Sequence, residues 1–413
     1  MASAAGTWLP RLCRFRHGLG LASVGVVTRP SPTLLPALAG CLALAAAMGV
    51  GRFAYTPLLP PMMSALGLSE SSAGLIASAN YAGYLAGALA ATTRMLGRRP
   101  RPWLLFGLAA SVATTAAMGL ASDPLAFAAL RFAGGVASAF VLVFATSIVL
   151  DALAARGGSG FAGLHFAGVG AGIAASAAVI GAAAAAGSDW RGLWAACAAI
   201  SAVMAVLAAA WLPGGAPQAQ RQGAVAGGVG LARLAPLLAA YGLFGFGYVI
   251  TATFIVAMVR ASPGGDAIEP VVWLVVGVVA APSVWAWLRL GGRLGLKRAM
   301  ALACLAEAAG VALSAFAPGG WGAIVSAALL GGTFMGITAL GLALARQFAP
   351  DRAAGALAAM TAAFGLGQII GPALAGGWAE RTGSFAAPSL AAAAALVAAA
   401  ALVAITPTRE LRG

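Results

Sequence analysis

Two arginines stand where their neighbours exclude charge: Arg52 and Arg131 each lie inside a long apolar run, whereas the other basic residues fall between such runs or at their edges. A guanidinium holds its proton at any physiological pH, so in hydrocarbon it must face a partner or a polar cavity. One chemistry open to Arg52 is an anion clamp, a bidentate donor to a carboxylate or phosphate. The alternative is a salt bridge or hydrogen-bond hub that closes a gate. Tyr55 and Thr56 follow it along the proline-broken stretch GRFAYTPLLPPM. Arg131, eight residues into its own run, reads either as a second cavity-facing charge or as a tie that caps a neighbouring helix.

Uncharged polar residues form the next tier. Asn80 and Tyr84 are spaced i, i+4 and share one helix face, with Tyr81 between them, so they can serve a polar solute or act as glue between helices. Gln368, within FGLGQIIGP, is a similar polar point late in the chain. Tyr248, Thr251 and Thr253 offer aromatic and hydroxyl groups, with packing as the alternative for the tyrosine. His165 is the one intramembrane group that titrates near neutrality, and it reads as a proton relay or as a hydrogen-bonded packing residue. Glu307 is the one acid deep in an apolar run; proton carriage and structural pairing are its two readings, and pairing is the expectation.

Several chemistries are excluded. The four cysteines, Cys13, Cys41, Cys197 and Cys304, show no CxxC or Cys/His spacing, and the histidines are only His17 and His165, so no metal centre and no disulfide framework is expected. The single lysine, Lys297, lies in no phosphate-binding GxxxxGK[ST] loop, so ATP does not drive this chain. No nucleophile and base are paired. The expectation is a protein without cofactor that is not an enzyme.

The elements that carry these residues follow from composition. Of 413 residues 62% are hydrophobic and 8% charged, with a mean hydropathy of +0.96, which leaves too little polar surface for a water-soluble fold. Apolar runs of spanning length are predicted at 33–60, 73–92, 103–121, 125–150, 160–186, 190–212, 234–259, 270–290, 298–317, 321–345, 352–378 and 385–406, separated by Pro and Gly breakers. The fold class is an all-α polytopic membrane protein of twelve helices.

Counting Lys and Arg in the connections places nineteen on the side of both termini and three (Arg191, Arg260, Arg381) on the other, so both termini are expected in the cytoplasm of an inner-membrane protein. That distribution also accounts for most of the net charge of +14 and argues against nucleic-acid binding, since no basic face runs along a soluble domain. The expected organisation is a cytoplasmic tail at 1–32, a six-helix bundle at 33–212, a cytoplasmic linker at 213–233, a second bundle at 234–406 and a tail at 407–413.

The bundles overlay at an offset of 196 to 198 residues: Gly51 on Gly247, Met62 on Met258, Gly97 on Gly295, Gly134-Gly135 on Gly331-Gly332 and Gly170 on Gly367. Tyr248 and Ala328 then replace Arg52 and Arg131, so charge comes from one half and aromatic or hydroxyl groups from the other. Glycine ladders at Gly163, Gly168, Gly170 and Gly172 and at Gly365, Gly367 and Gly371 allow close approach where the halves slide. Two parallel repeats of this kind describe a rocking transporter with its site near the midplane.

The loops MLGRRPRP and LGGRLGLKR, together with RFAGG at Arg131–Gly135, resemble the major facilitator superfamily over about residues 33 to 406. GVGRFAYTPLLPPM, ASANYAGYLAGAL and GLHFAGVGAGI are similar to the YbfB/YjiJ family within it. The resemblance implies alternating access and ties a helix-four arginine to proton coupling, making Arg131 a coupling candidate beside His165 and Glu307. It implies a gate or anchoring role for Arg98, Arg99, Arg293 and Arg298. It also implies that helix nine, which carries Glu307, is peripheral. The helix-five antiporter pattern lacks its proline here, which weakens the case for an exporter.

The function expected is therefore a proton-coupled secondary transporter, a monomer in the lipid bilayer, for a small organic solute of anionic character, because two arginines and no well-placed acid line the expected cavity. An exporter of hydrophobic or cationic compounds is the alternative and would need an acid at the cavity. A non-transporting membrane sensor is a third reading, and the loops are short for a signalling domain.

Overall fold

The structure is a computed structural model that describes residues 33–213, 234–265, 268–350 and 353–406. The two tails and the 213–233 linker, apart from Pro213, lie outside the described residues. Within them run twelve long helices: α1 (Leu34–Leu66), α2 (Glu70–Ala91), α3 (Pro100–Met118), α4 (Pro124–Ala155), α5 (Ala162–Ala185), α6 (Trp190–Trp211), α7 (Ala235–Arg260), α8 (Glu269–Leu294), α9 (Leu296–Phe316), α10 (Gly320–Phe348), α11 (Ala353–Thr382) and α12 (Ala386–Ile405). Ten are long and apolar enough to cross a membrane; α2, rich in Ser, Gly and Tyr, and the short α3 fall below that mark by composition.

Local chemistry sets the helix ends. Asp123 and Asp189 accept from the main-chain N–H of Ala126 and Gly192 at 2.9 and 2.8 Å and so cap α4 and α6, and Pro124 opens α4 where its missing N–H is not needed. Gly67, at φ 64°, closes α1 in a left-handed turn. The MLGRRPRP loop forms a single helical turn at Arg94–Gly97 before Pro100 starts α3.

Helix α1 is the irregular element. Its first stretch, Leu34–Leu44, gives way to a π-helical segment at Ala45–Val50 and an open turn at 51–54 before the helix resumes at Tyr55. In that turn Gly51 and Phe53 donate five residues back, to Ala46 and Met48, at 2.9 and 3.2 Å. Pro57 has no N–H to give, and Thr56 N–H turns to the Phe53 carbonyl at 3.3 Å. Among the described residues no main-chain donor reaches the carbonyls of Gly51 and Arg52.

Packing repeats between the first six helices and the last six. Contacts α1 with α5 and α6, α2 with α4, and α3 with α4 and α6 recur as α7 with α11 and α12, α8 with α10, and α9 with α10 and α12. Glycine sets the closest approaches. A side chain on Gly135 would meet the Asn80 carbonyl at 2.1 Å, and one on Gly331 would meet that of Val276 at 2.3 Å. Both pairs are 196 residues apart, which puts Ala327, one residue before the aligned Ala328, opposite Arg131.

The two sets meet along α5 with α8, α2 with α11, and α1 with α7. Gly74 lies on Pro372, Gly376 on Glu70, and Gly170 on Ala281. At the end away from the described termini, Ser71 N–H donates to Glu380 at 3.0 Å and Thr56 Oγ1 to the Ala252 carbonyl at 2.7 Å, so this far end is closed. Helices α4 and α10 share no such face among the described residues.

Replacing Gly135 with Ala is expected to cost about 1–3 kcal/mol through overpacking against backbone that cannot yield. Gly181→Ala, where a side chain meets nothing within 4 Å, is expected to leave stability unchanged or raise it slightly. Thermal unfolding of the purified protein in detergent checks both.

Candidate functional site

The open turn of α1 builds the site, because it needs donors that its own backbone does not supply. Arg131 supplies them. Its Nη1 donates to the Gly51 carbonyl at 2.9 Å and its Nη2 to the Arg52 carbonyl at 2.6 Å, while Tyr55 covers its guanidinium at 5.0 Å. Asn80 Nδ2 in turn donates to the Arg131 carbonyl at 2.8 Å, joining α2 to α4. The fork thus caps the broken turn of α1 and holds the backbone from which Arg52 projects. Tyr55 is anchored likewise, its hydroxyl donating to the Ala73 carbonyl at 3.0 Å.

Arg52 projects into the seam between the helix sets and is 3% exposed. Its guanidinium lies 4.1 Å from the ring centre of Tyr84, 4.7 Å from that of Tyr81 and 5.5 Å from that of Phe53. Its Nη2 donates to Gln368 Oε1 at 3.2 Å, and Gln368 Nε2 donates to the Tyr248 hydroxyl. A chain Arg52, Gln368, Tyr248 thus crosses from α1 through α11 to α7. Arg52 Nε has no partner, and no carboxylate among the described residues pairs with this side chain. Desolvating an ion costs on the order of several kcal/mol. Stacking on tyrosine, worth up to about 2 kcal/mol per desolvated contact, and one hydrogen bond of about 1.5–3 kcal/mol make that burial tolerable.

Beyond Tyr248 the second half supplies aromatic rings. Tyr248 lies parallel to Phe364 (centres 5.7 Å apart, planes at 1°) and to Phe334 (5.8 Å, 10°), and Phe53 meets Phe334 edge-on at 5.9 Å. A slot of about 10 Å³ remains between Phe53, Tyr248, Trp273 and Phe334, with Ile173, Ala252, Val276 and Leu330. Trp273 lines it, is 1% exposed, and its indole N–H has no acceptor among the described residues.

The sequence-predicted residues divide accordingly. Arg52, Tyr84, Gln368 and Tyr248 meet at the seam; Asn80, Tyr55 and Arg131 hold α1, α2 and α4 together behind it. Thr251 is fully buried on α7 with its hydroxyl unpartnered. His165 stands apart, between Thr146 on α4, 3.0 Å from its Nε2, and the Gly40 backbone on α1. Glu307 is fully buried on α9 but has neither oxygen hydrogen-bonded, so the pairing expected of it is not found among the described residues. Arg98, Arg99, Arg293 and Arg298 are exposed at the end that carries the termini, where Lys297 donates to the Thr406 carbonyl that ends α12. Sequence reasoning missed Phe53, Trp273, Phe334 and Phe364, since an aromatic in an apolar run looks like packing; an alternating offset search for rings beside Tyr248 would not have singled them out.

Arg131→Lys, which keeps the charge but not the fork, is expected to lower stability by about 1.5–3 kcal/mol, and Arg131→Met by more, because two buried carbonyls lose their donors. Thermal unfolding in detergent reads both.

Comparison with known proteins agrees with this architecture. A family profile described as "Uncharacterised MFS-type transporter YbfB" matches residues 44–404. Among solved structures, a mutant of the nucleoside transporter NupG is similar over 92% of this chain and 100% of its own, at 16% identity and a TM-score of 0.72; NupG itself gives 17% and 0.68 over the same shares. At that identity the likeness is one of fold. No curated protein sequence matches. With the profile covering all of the helical bundle but the first ten residues of α1 and the last residue of α12, the chain belongs to the YbfB-type family of major facilitator transporters.

Proposed function

We propose that this transporter carries a small organic anion across the inner membrane by alternating access, coupled to protons, as a monomer with both termini in the cytoplasm. The observation that carries the reading is Arg52: a buried guanidinium at the seam between the two six-helix sets, stacked on tyrosines and lacking a carboxylate partner. An anion delivered there gains a bidentate partner in a medium where charge interactions are strong, and a neutral solute gains far less. The sidedness rests on the excess of Lys and Arg on the terminal side.

Glu307 supports the proton part. Its carboxylate is buried and unpartnered on α9, and in this proposal it is the counter-charge to the Arg52, Gln368, Tyr248 chain. Charge balance gives the coupling. Empty, the carrier is neutral across this chain when Glu307 is ionised opposite Arg52; loaded, it is neutral when Arg52 holds the anion and Glu307 a proton. The half-loaded forms bury one uncompensated charge and are penalised by several kcal/mol, on the order of 3–5. Proton and anion therefore move together.

In proteoliposomes supplied with labelled organic acids and an inward proton gradient, Arg52→Gln is expected to lower the initial uptake rate at least about tenfold. Uptake unaffected by that change defeats the clamp. Glu307→Gln, a permanent mimic of the protonated acid, is expected to abolish gradient-driven accumulation while exchange of internal for external solute persists; accumulation that survives it removes Glu307 from coupling.

A further inference from the structure

The slot beside Arg52 carries information about the solute beyond its charge. Its walls are Phe53, Tyr248, Trp273 and Phe334, and the Tyr248 and Phe334 rings face the same way, their planes 10° apart. At about 10 Å³ it has room for one water at most, so in this closed arrangement it holds no solute-sized space. Phe53 and Ile173 belong to α1 and α5, and the other lining residues to α7, α8 and α10. Separation of the two helix sets therefore parts Phe53 from Phe334, whose edge-to-face contact now spans the slot, and opens a gap walled by ring faces. Two polar groups are buried without partners: the indole N–H of Trp273, which lines the slot, and Nε of Arg52, whose guanidinium lies 5.5 Å from the centre of the Phe53 ring. A buried donor left unpaired is costly, and a donor kept beside a cavity is what a ligand acceptor would satisfy.

We infer that the solute is a flat aromatic carboxylate: its ring enters between Phe53 and the Tyr248 and Phe334 faces, its carboxylate meets Arg52, and Trp273 donates to one of its oxygens or ring acceptors. This rests on the reading of Arg52 as an anion clamp. An aliphatic acid would satisfy the guanidinium but gain nothing from ring stacking, and a neutral ring would stack but leave Arg52 without a counter-charge. The ring also explains how Arg52 is released. The anion displaces the Gln368 Oε1 contact, freeing the amide to follow Tyr248 as the halves part.

The test is ligand binding by the purified wild-type chain in detergent, read by thermal shift and by quenching of tryptophan fluorescence. The probes are benzoate, nicotinate, cyclohexanecarboxylate, benzamide and uridine. Benzoate and nicotinate are expected to bind at least about fivefold more tightly than cyclohexanecarboxylate, which has the size of the ring without its face. Benzamide and uridine are expected to bind at least about tenfold more weakly than benzoate. Equal binding of cyclohexanecarboxylate and benzoate overturns the aromatic assignment and leaves the anion reading standing. Benzamide or uridine binding as well as benzoate defeats the anion reading instead, and with it the carboxylate half of the inference. No response to any ring compound up to about 10 mM overturns the inference outright. Two variants sharpen the result. Trp273→Phe, which keeps a ring and deletes the donor, is expected to weaken benzoate about fivefold, and Phe334→Leu to reduce the preference over cyclohexanecarboxylate below about twofold. An unchanged preference in Phe334→Leu counts against the slot as the ring's place.

Discussion

Where water is excluded, a main-chain carbonyl without a donor is a debt that some side chain must settle, and the open turn of α1 creates two. The prolines and glycines around residue 52 break the helical ladder, leaving the Gly51 and Arg52 carbonyls to the fork of Arg131. A lysine reaches one such acceptor as a point charge; the planar guanidinium reaches both. The rest of the site depends on this contact. It fixes the backbone from which Arg52 projects, and Asn80, by bonding the Arg131 carbonyl, ties α2 and its two tyrosines into the same frame.

The two arginines, alike in the sequence, thus differ in kind. Arg131 places one donor of each Nη on a backbone carbonyl of α1. Arg52 instead reaches across to a side-chain amide on the opposite helix set and lies against the rings of Tyr81 and Tyr84. The asymmetry between the halves has the same origin. In the second half α7 runs unbroken from Ala235 to Arg260, so no carbonyls there call for a guanidinium, and Ala327 sits where Arg131 would. What that half contributes instead is the stack of Tyr248, Phe334 and Phe364.

The helices and the repeat were legible in the sequence because both follow from composition and glycine spacing: a run of twenty apolar residues has one stable form in a bilayer, and two backbones approach closely only where glycine stands. The helix ends moved by several residues, most at α1, predicted to stop at residue 60 and continuing to Leu66, since Pro60 and Pro61 lie inside the helix that resumes at Tyr55 and not at its end. Arg52 was legible as an anomaly; its partners were not, for Gln368 lies 316 residues away and only the fold brings them together. The aromatic walls were invisible for another reason. Phe53, Trp273 and Phe334 have the same residue types as the core, and only the slot between them and the unpartnered indole N–H set them apart.

Glu307 shows that a helix at the edge of a bundle can still bury an acid. Helix α9 lies at the edge of the second six-helix set, which argued for a structural role, yet a helix at the edge still turns one face inward, and Glu307 is on that face. A carboxylate there, without a hydrogen-bond partner, is stable only when neutral or when a cation balances it. On the proposed coupling, loading an anion on Arg52 and protonating Glu307 favour each other, and reciprocity of that kind holds whichever comes first.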